Sequence, residues 1–135
     1  SHAVPLSDAA LALLSRAAAF RLLDSDVVFP GAAGKPMSDM TLLKVLRDMK
    51  EPYHVHGFRS AFTDWAANEG FADAVVEAAL AHKTPDAVQA AYRRTTYLGT
   101  PDQPGARVKL MDAWGRYCLD GLTDTGIFRA DVTLI

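Results

Sequence analysis

Apolar residues recur along the chain at intervals of three and four, which is the spacing that places them on one face of an α-helix. Such stripes begin after Ser7 and Ser38, return in the middle of the chain, and appear again after Arg107. Ser7 and Ser38 are predicted as N-caps, because a serine oxygen accepts from the first free N–H groups of a helix. Gly70 and Gly121 follow two further stripes as helix ends. The pattern therefore predicts a mainly α protein.

The predicted helices span about 8–23, 39–50, 57–69, 72–81, 85–94 and 107–119. Their inward faces are predicted to include Phe58, Phe62 and Ala66 in the third helix, Val75 and Val76 in the fourth, and Cys118 in the last. Apolar segments that end at Pro5 and Pro30 have β character, as do parts of residues 122–135. We expect short β pieces near the N-terminus, a main body over 1–121, and a separate C-terminal tail over 122–135, with a β piece in the tail left open.

The composition is that of a globular domain: half of the 135 residues are hydrophobic and 22% are charged. No apolar run approaches the roughly 20 residues that a membrane span needs, and no signal-peptide pattern opens the chain. The single Cys118 fits a reducing compartment, so we expect a cytoplasmic protein. The net charge of −2 does not favour a strongly basic nucleic-acid surface. A non-catalytic helical interaction module therefore remains an alternative.

Three short motifs carry candidate chemistry. His56 and Arg59 are three residues apart at a predicted helix start, where N–H groups and the helix dipole favour phosphate. His82 follows Leu80 and Ala81 at a predicted helix end, and Tyr92 lies 33 residues after Arg59 and 10 after His82. Taken singly, each has an ordinary explanation: a solvated arginine, a histidine at the negative end of a helix dipole, and a core tyrosine.

Taken in this order, the motifs resemble those of the tyrosine recombinases of the phage integrase type. The flanking segments are similar as well, namely VPLSDAALALL, VFPGAAGKPMSDM, VHGFRSAFTDWAANEGF, ALAHKTPDAVQAAYRR and LMDAWGRYC. The similarity covers nearly the whole chain, to about Asp120. It implies that residues 1–121 are part of a helical catalytic domain of the DNA breaking-rejoining type.

The resemblance also implies a role for each motif residue. Tyr92 would be the nucleophile that forms a 3′-phosphotyrosyl bond to DNA, and Arg59 would clamp the non-bridging oxygens of the scissile phosphate. His56 would assist proton transfer on the nucleophile side, and His82 would donate a hydrogen bond to the same phosphate. This scheme requires neither a metal ion nor a cofactor.

For the whole protein the resemblance implies site-specific recombination, as in prophage integration and excision. The expected partners are double-stranded DNA attachment sites and further copies in a tetramer, in the bacterial cytoplasm at the nucleoid. The family places another catalytic Arg and a Lys upstream of the region where this chain begins, and the chain offers neither in the matching order. We therefore expect the chain to be a fragment of a catalytic domain that is close to inactive alone.

Several alternatives stay open. Type IB-like topoisomerases use similar residues without exchanging strands between sites, and His54, His56 and His82 would be the ligands of a conceivable metal site. The tail could add a strand to its own chain or to a neighbour. A set of basic residues is expected either on solvated helix faces or against phosphates: Lys83, Arg93, Arg94, Arg107, Lys109 and Arg116.

Overall fold

A computed structural model of the chain describes residues 2–21, 25–31, 34–82 and 95–123, with side chains as far as residue 120. Within these ranges it contains five α-helices: α1 (Asp8–Ala18), α2 (Thr41–Asp48), α3 (Gly57–Asn68), α4 (Asp73–Ala79) and α5 (Ala106–Thr123). The β structure in the same ranges is limited to two isolated antiparallel bridges, Pro30–Pro36 and Gly99–Pro104. The prediction of a mainly α protein is confirmed. The helix predicted over 85–94 and most of the tail lie outside the described residues.

Residue contacts divide the chain into two compact units. The described parts of Ser1–Ala10 and Ala74–Ile135 form the first unit, and Leu11–Asp73 forms the second. The first unit is therefore discontinuous in sequence, because its opening residues and its last helix are separated by the whole of the second unit.

The second unit has a small aromatic centre on α3. Phe62 is 6% exposed and Ala66 is fully buried. The indole of Trp65 lies with its ring centroid 6.4 Å from that of Phe62 and 5.9 Å from that of Phe71. The inward prediction is thus confirmed for Phe62 and Ala66, whereas Phe58 is 54% exposed and its inward prediction was wrong. Phe58 lies on the same face of α3 as Phe62 and Ala66, but it is in the first turn of the helix, before the buried positions.

The first unit buries Val75 and Val76 of α4, as predicted, together with Leu110 of α5. The buried positions of α5 include Arg107, Leu110 and Gly115, whereas Cys118 is exposed. The inward prediction for Cys118 was wrong, because Cys118 lies three residues beyond Gly115, the last buried position among the described side chains of the helix. The helix also continues through Gly121, which the sequence predicts as its end.

The helix starts agree with the sequence prediction in one case and differ in another. The N–H of Ala10 donates to Ser7 Oγ at 3.3 Å, so the predicted N-cap of α1 is confirmed. α2 begins only at Thr41, and its N-cap Met40 makes no side-chain cap. Ser38 instead accepts from the N–H of Thr41 through its carbonyl, at 3.0 Å, and starts a turn before the helix.

Three helices end in the same way, with one residue in the left-handed conformation directly after the C-cap. These residues are Lys50 (φ 59°), Gly70 (φ 78°) and Ala81 (φ 57°). After each of them, the next N–H donates to a carbonyl five residues earlier, as in a Schellman motif. Gly70 was predicted as such an end and is confirmed. The other two were not, because non-glycine residues seldom adopt a positive φ.

Candidate active site

The turn before α3 places His56 and Arg59 on the first turn of that helix. His56 is the N-cap residue, with φ −64° and ψ −30°. The N–H groups of residues 57, 58 and 59 donate to the carbonyl oxygens three residues earlier, at 2.9, 3.3 and 3.1 Å. The expectation of free N–H groups at this helix start was therefore wrong, since the preceding turn already satisfies them. Any phosphate contact here falls to the side chains.

Both of these side chains are exposed. His56 and Arg59 are three residues apart, so they project from the same side of the helix. The backbone at Arg59 is held further by Thr63, whose Oγ1 donates to the Arg59 carbonyl at 3.0 Å. An imidazole and a guanidinium thus lie on the same side of the first turn of α3, and these are groups suited to an anionic oxygen.

His82 lies just beyond the C-terminus of α4, where Glu77 contacts it at two points. The His82 N–H donates to the Glu77 carbonyl at 3.1 Å and closes the helix end, which the left-handed Ala81 makes possible. The His82 ring also contacts Glu77, with Nδ1 2.8 Å from Oε2. Both side chains are about half exposed. A Schellman motif brings these two positions of a helix end together, and here they carry a hydrogen-bonded histidine and carboxylate instead of the usual apolar contact.

Tyr92 lies outside the described residues, as do Lys83, Arg93 and Arg94. Among the candidates that the structure describes, His56 and Arg59 belong to the second unit and His82 to the first. His56 and Arg59 thus belong to a different unit from His82, and Tyr92 as the nucleophile remains a prediction from the sequence.

Arg107 was predicted on a solvated face or against phosphate, and it is instead buried, with 4% of its surface exposed. Its Nη2 donates to the carbonyl of Ala3 at 2.7 Å, and its Nη1 donates to the carbonyl of Thr96 at 3.2 Å. Burial lowers the pKa of this guanidinium from its ordinary value by desolvation. Lys109 and Arg116 of the same helix are exposed, which agrees with either alternative.

Two kinds of feature are absent from the ranges that the structure describes. Within them, no three or more histidine, cysteine or carboxylate side chains group as ligands for a metal ion. In the same part of the chain, no helix combines the length and the apolar character that crossing a membrane requires.

Comparison with known proteins adds the family. A family model described as "Phage integrase family" matches residues 1–98. The chain therefore belongs to the phage integrase family of tyrosine recombinases. The chain is also similar to Prophage integrase IntA of Escherichia coli (strain K12), with 36% identity over 103 residues. That similarity covers 72% of this chain but only 24% of the relative, so the chain spans about a quarter of its length. No solved structure matches the chain.

Glu77 is a candidate site residue that the sequence reasoning missed. A signal for it existed, because Leu80-Ala81-His82 follows a helix and a left-handed residue at Ala81 would place His82 beside position 77. Alanine, unlike glycine, does not indicate a left-handed conformation in a sequence. The contact between Glu77 and His82 could therefore not be recognised from the sequence pattern alone.

Proposed function

We propose that the protein carries out site-specific DNA recombination with Tyr92 as the nucleophile. The observation that carries the proposal is the family match over residues 1–98, which spans His56, Arg59, His82 and Tyr92 in the expected order. The described geometry is compatible with it, since His56, Arg59 and His82 each lie at a helix end with the side chain exposed.

In the proposed reaction the Tyr92 hydroxyl attacks the scissile phosphorus, and the bond from phosphorus to the 5′ oxygen breaks. The products are a 3′-phosphotyrosyl linkage and a 5′-hydroxyl strand, and the leaving oxygen takes up a proton. The reverse attack by a 5′-hydroxyl reseals the DNA, so the bond energy is conserved. An ordinary tyrosine has a pKa near 10, so forming tyrosinate at pH 7 costs about 4 kcal/mol. Nearby cations and a proton acceptor offset that cost.

The three other residues have distinct parts in this scheme. The planar guanidinium of Arg59 can donate two hydrogen bonds to the non-bridging oxygens, where negative charge gathers in the transition state. His56 would assist proton transfer from Tyr92, and His82 would donate to the same phosphate. Because the N–H groups at the start of α3 are already paired, these side chains would carry the whole of the contact.

The test is the formation of a covalent protein–DNA complex on nicked attachment-site DNA by the full-length protein. We expect none from Tyr92→Phe, because the ring lacks the attacking oxygen. Tyr53→Phe is a matched control at a tyrosine that is 62% exposed, and it should leave the complex unchanged. Arg59→Ala should lower the rate by about 10²–10³, the usual cost of one donor to a transition-state oxyanion. Cleavage by Tyr92→Phe at the rate of the unmodified protein would overturn the proposal.

We propose double-stranded attachment sites and a tetramer on DNA as the partners of the full-length protein. We also propose that this chain alone forms little covalent complex, since the family's further Arg and Lys have no counterpart here in the matching order. Comparison of the isolated chain with the full-length protein in the same assay tests this point. Relaxation of supercoiled DNA without strand exchange between sites would favour topoisomerase chemistry instead.

A further inference from the structure

Glu77 contacts His82 at two points, through its backbone and through its carboxylate. The backbone of Glu77 fixes the backbone of His82, at 3.1 Å, and the carboxylate of Glu77 fixes the ring, at 2.8 Å from Nδ1. Glu77 itself belongs to α4, whose Val75 and Val76 are buried in the first unit. The ring orientation is therefore set by a helix that the core of the unit holds in place.

This contact decides which of the two ring nitrogens of neutral His82 carries the proton. A carboxylate only accepts, so Nδ1 must carry a proton when it contacts Glu77 Oε2. A neutral ring with its proton on Nδ1 has a bare Nε2, which can accept a hydrogen bond but cannot donate one. While Nδ1 donates to Glu77, the ring can donate from Nε2 only if both of its nitrogens carry a proton.

Stability does not account for the pair. Both side chains are about half exposed, and ion pairs exposed to that degree contribute little to the free energy of folding. The pair instead fixes the tautomer and the orientation of the His82 ring. Carboxylates that contact a histidine in catalytic sites have the same effect.

We propose that Glu77 is a positioning residue for His82: it holds the proton on Nδ1 and orients the ring so that His82 meets the scissile phosphate through Nε2. This inference rests on the proposed recombinase function. It adds that Nε2 is the ring nitrogen of His82 that meets the phosphate, because Nδ1 contacts Glu77.

The first experiment is independent of DNA. Nitrogen-15 NMR of this chain distinguishes the two neutral tautomers of His82 at a pH where the ring is uncharged. We expect the proton on Nδ1 in the unmodified chain and on Nε2, the usual site in an exposed histidine, in Glu77→Met. Glu77→Gln keeps a carbonyl oxygen that accepts, so it should retain the Nδ1 proton. The same tautomer in all three would overturn the inference.

The second experiment measures covalent-complex formation by the full-length protein on nicked attachment-site DNA. Glu77→Met should lower the rate by about 10–100-fold, as is usual when a group that orients a functional histidine is removed. Glu77→Gln should recover part of that loss, because it restores the acceptor without the charge. Glu69→Met is a control at an exposed glutamate that follows α3, and it should match the unmodified protein.

The two proposals fail in different ways. If Tyr92→Phe still cleaves DNA, the recombinase function is wrong, whatever Glu77 does. If Tyr92→Phe is inactive while Glu77→Met cleaves at the unmodified rate, the function stands and the role of Glu77 is wrong. If Glu77→Met unfolds, the cleavage rate of Glu77→Gln carries the test, and a rate equal to that of the unmodified protein would overturn the role of Glu77.

Discussion

The positively charged guanidinium of Arg107 is buried in the first unit, and backbone oxygens accept part of its hydrogen bonds. Its two terminal nitrogens donate to the carbonyls of Ala3 and Thr96, which belong to segments that lack helical hydrogen bonds of their own. Its Nε has no partner among the described residues. Desolvation lowers the pKa of the guanidinium, but an arginine remains protonated at neutral pH. The side chain therefore ties two irregular segments to α5.

We predict that Arg107→Lys lowers the free energy of unfolding by about 1.5–3 kcal/mol, the range for a lost hydrogen bond to a charged group. A lysine keeps the buried charge but presents one nitrogen, which cannot reproduce the arginine fork that reaches both carbonyls. Urea unfolding of the chain measures the change. Arg116→Lys is the same substitution at an exposed position of α5 and should stay within about 0.5 kcal/mol. Equal effects at the two positions would contradict the role assigned to Arg107.

Cys118 shows how a side chain can lie at the surface and still be chemically shielded. The residue is exposed, yet partial burial of the thiol raises its pKa above the ordinary value of 9.0 by desolvation. A raised pKa keeps the thiol protonated at neutral pH, and only the thiolate is a strong nucleophile. The contribution of this group to stability is complete below pH 9.0 and is lost as the pH rises through the higher pKa of the folded state.

At the scale of the helix, the end of α4 determines the position of His82. Ala81 adopts φ 57°, a conformation that costs a residue with a Cβ about 1 kcal/mol more than glycine. This conformation reverses the chain sharply after the helix and places His82 beside Glu77.

We predict that Ala81→Gly raises the free energy of unfolding by about 0.5–1 kcal/mol, because glycine adopts a positive φ without steric cost. Ala78→Gly is the control inside the same helix and should lower it by about 1 kcal/mol, the usual penalty for glycine in a helix interior. Circular dichroism during urea unfolding gives both values. A loss of stability at position 81 as large as that at position 78 would show that Ala81 is not left-handed.

The helix ends also show what the sequence could and could not predict. Ser7 and Gly70 were predicted correctly because each acts through its own local chemistry, a capping oxygen and a permissive backbone. Ser38 has the same chemistry as Ser7 but starts a turn three residues before α2. Lys50 and Ala81 adopt the glycine-like conformation without the glycine signal. Local chemistry predicts an end when one residue decides it and fails when the surrounding turn decides.

Packing between distant segments was harder to predict than any local feature. The burial of Arg107 depends on carbonyls 104 and 11 residues away, and nothing in the spacing of α5 indicates them. The order of His56, Arg59, His82 and Tyr92 was enough for the family, which the match over 1–98 confirms. The roles of these four residues remain predictions that the DNA-cleavage experiments address.

At the scale of the whole molecule, the start of α1 packs closely against α5 within the first unit. A Cβ built on Gly115 would lie 2.5 Å from Ser7 Oγ and 2.8 Å from Ser7 Cβ. Ser7 is itself only 6% exposed and caps α1. Gly115 is therefore needed for the close approach of two segments that are more than 100 residues apart in sequence.

We predict that Gly115→Ala lowers the free energy of unfolding by about 1–3 kcal/mol, the range for overpacking. The sign is informative, because the same change in an unhindered helix stabilises by about 1 kcal/mol. Thermal unfolding of the single and double variants with Ser7→Gly measures the coupling. Ser7→Gly removes both clashing atoms at a small capping cost, so the double variant should recover most of the loss. Simple additivity of the two changes would contradict this contact.

The contact between Arg107 and Ala3 spans 104 residues of sequence, and that separation has a kinetic consequence. During synthesis the opening residues leave the ribosome long before α5 exists to receive them, whereas Leu11–Asp73 emerges as one uninterrupted stretch. The second unit can therefore fold first. The contact between Ala3 and Arg107 can form only after the chain has been synthesised past position 107. Contacts of such long range close late and slow the final stage of folding.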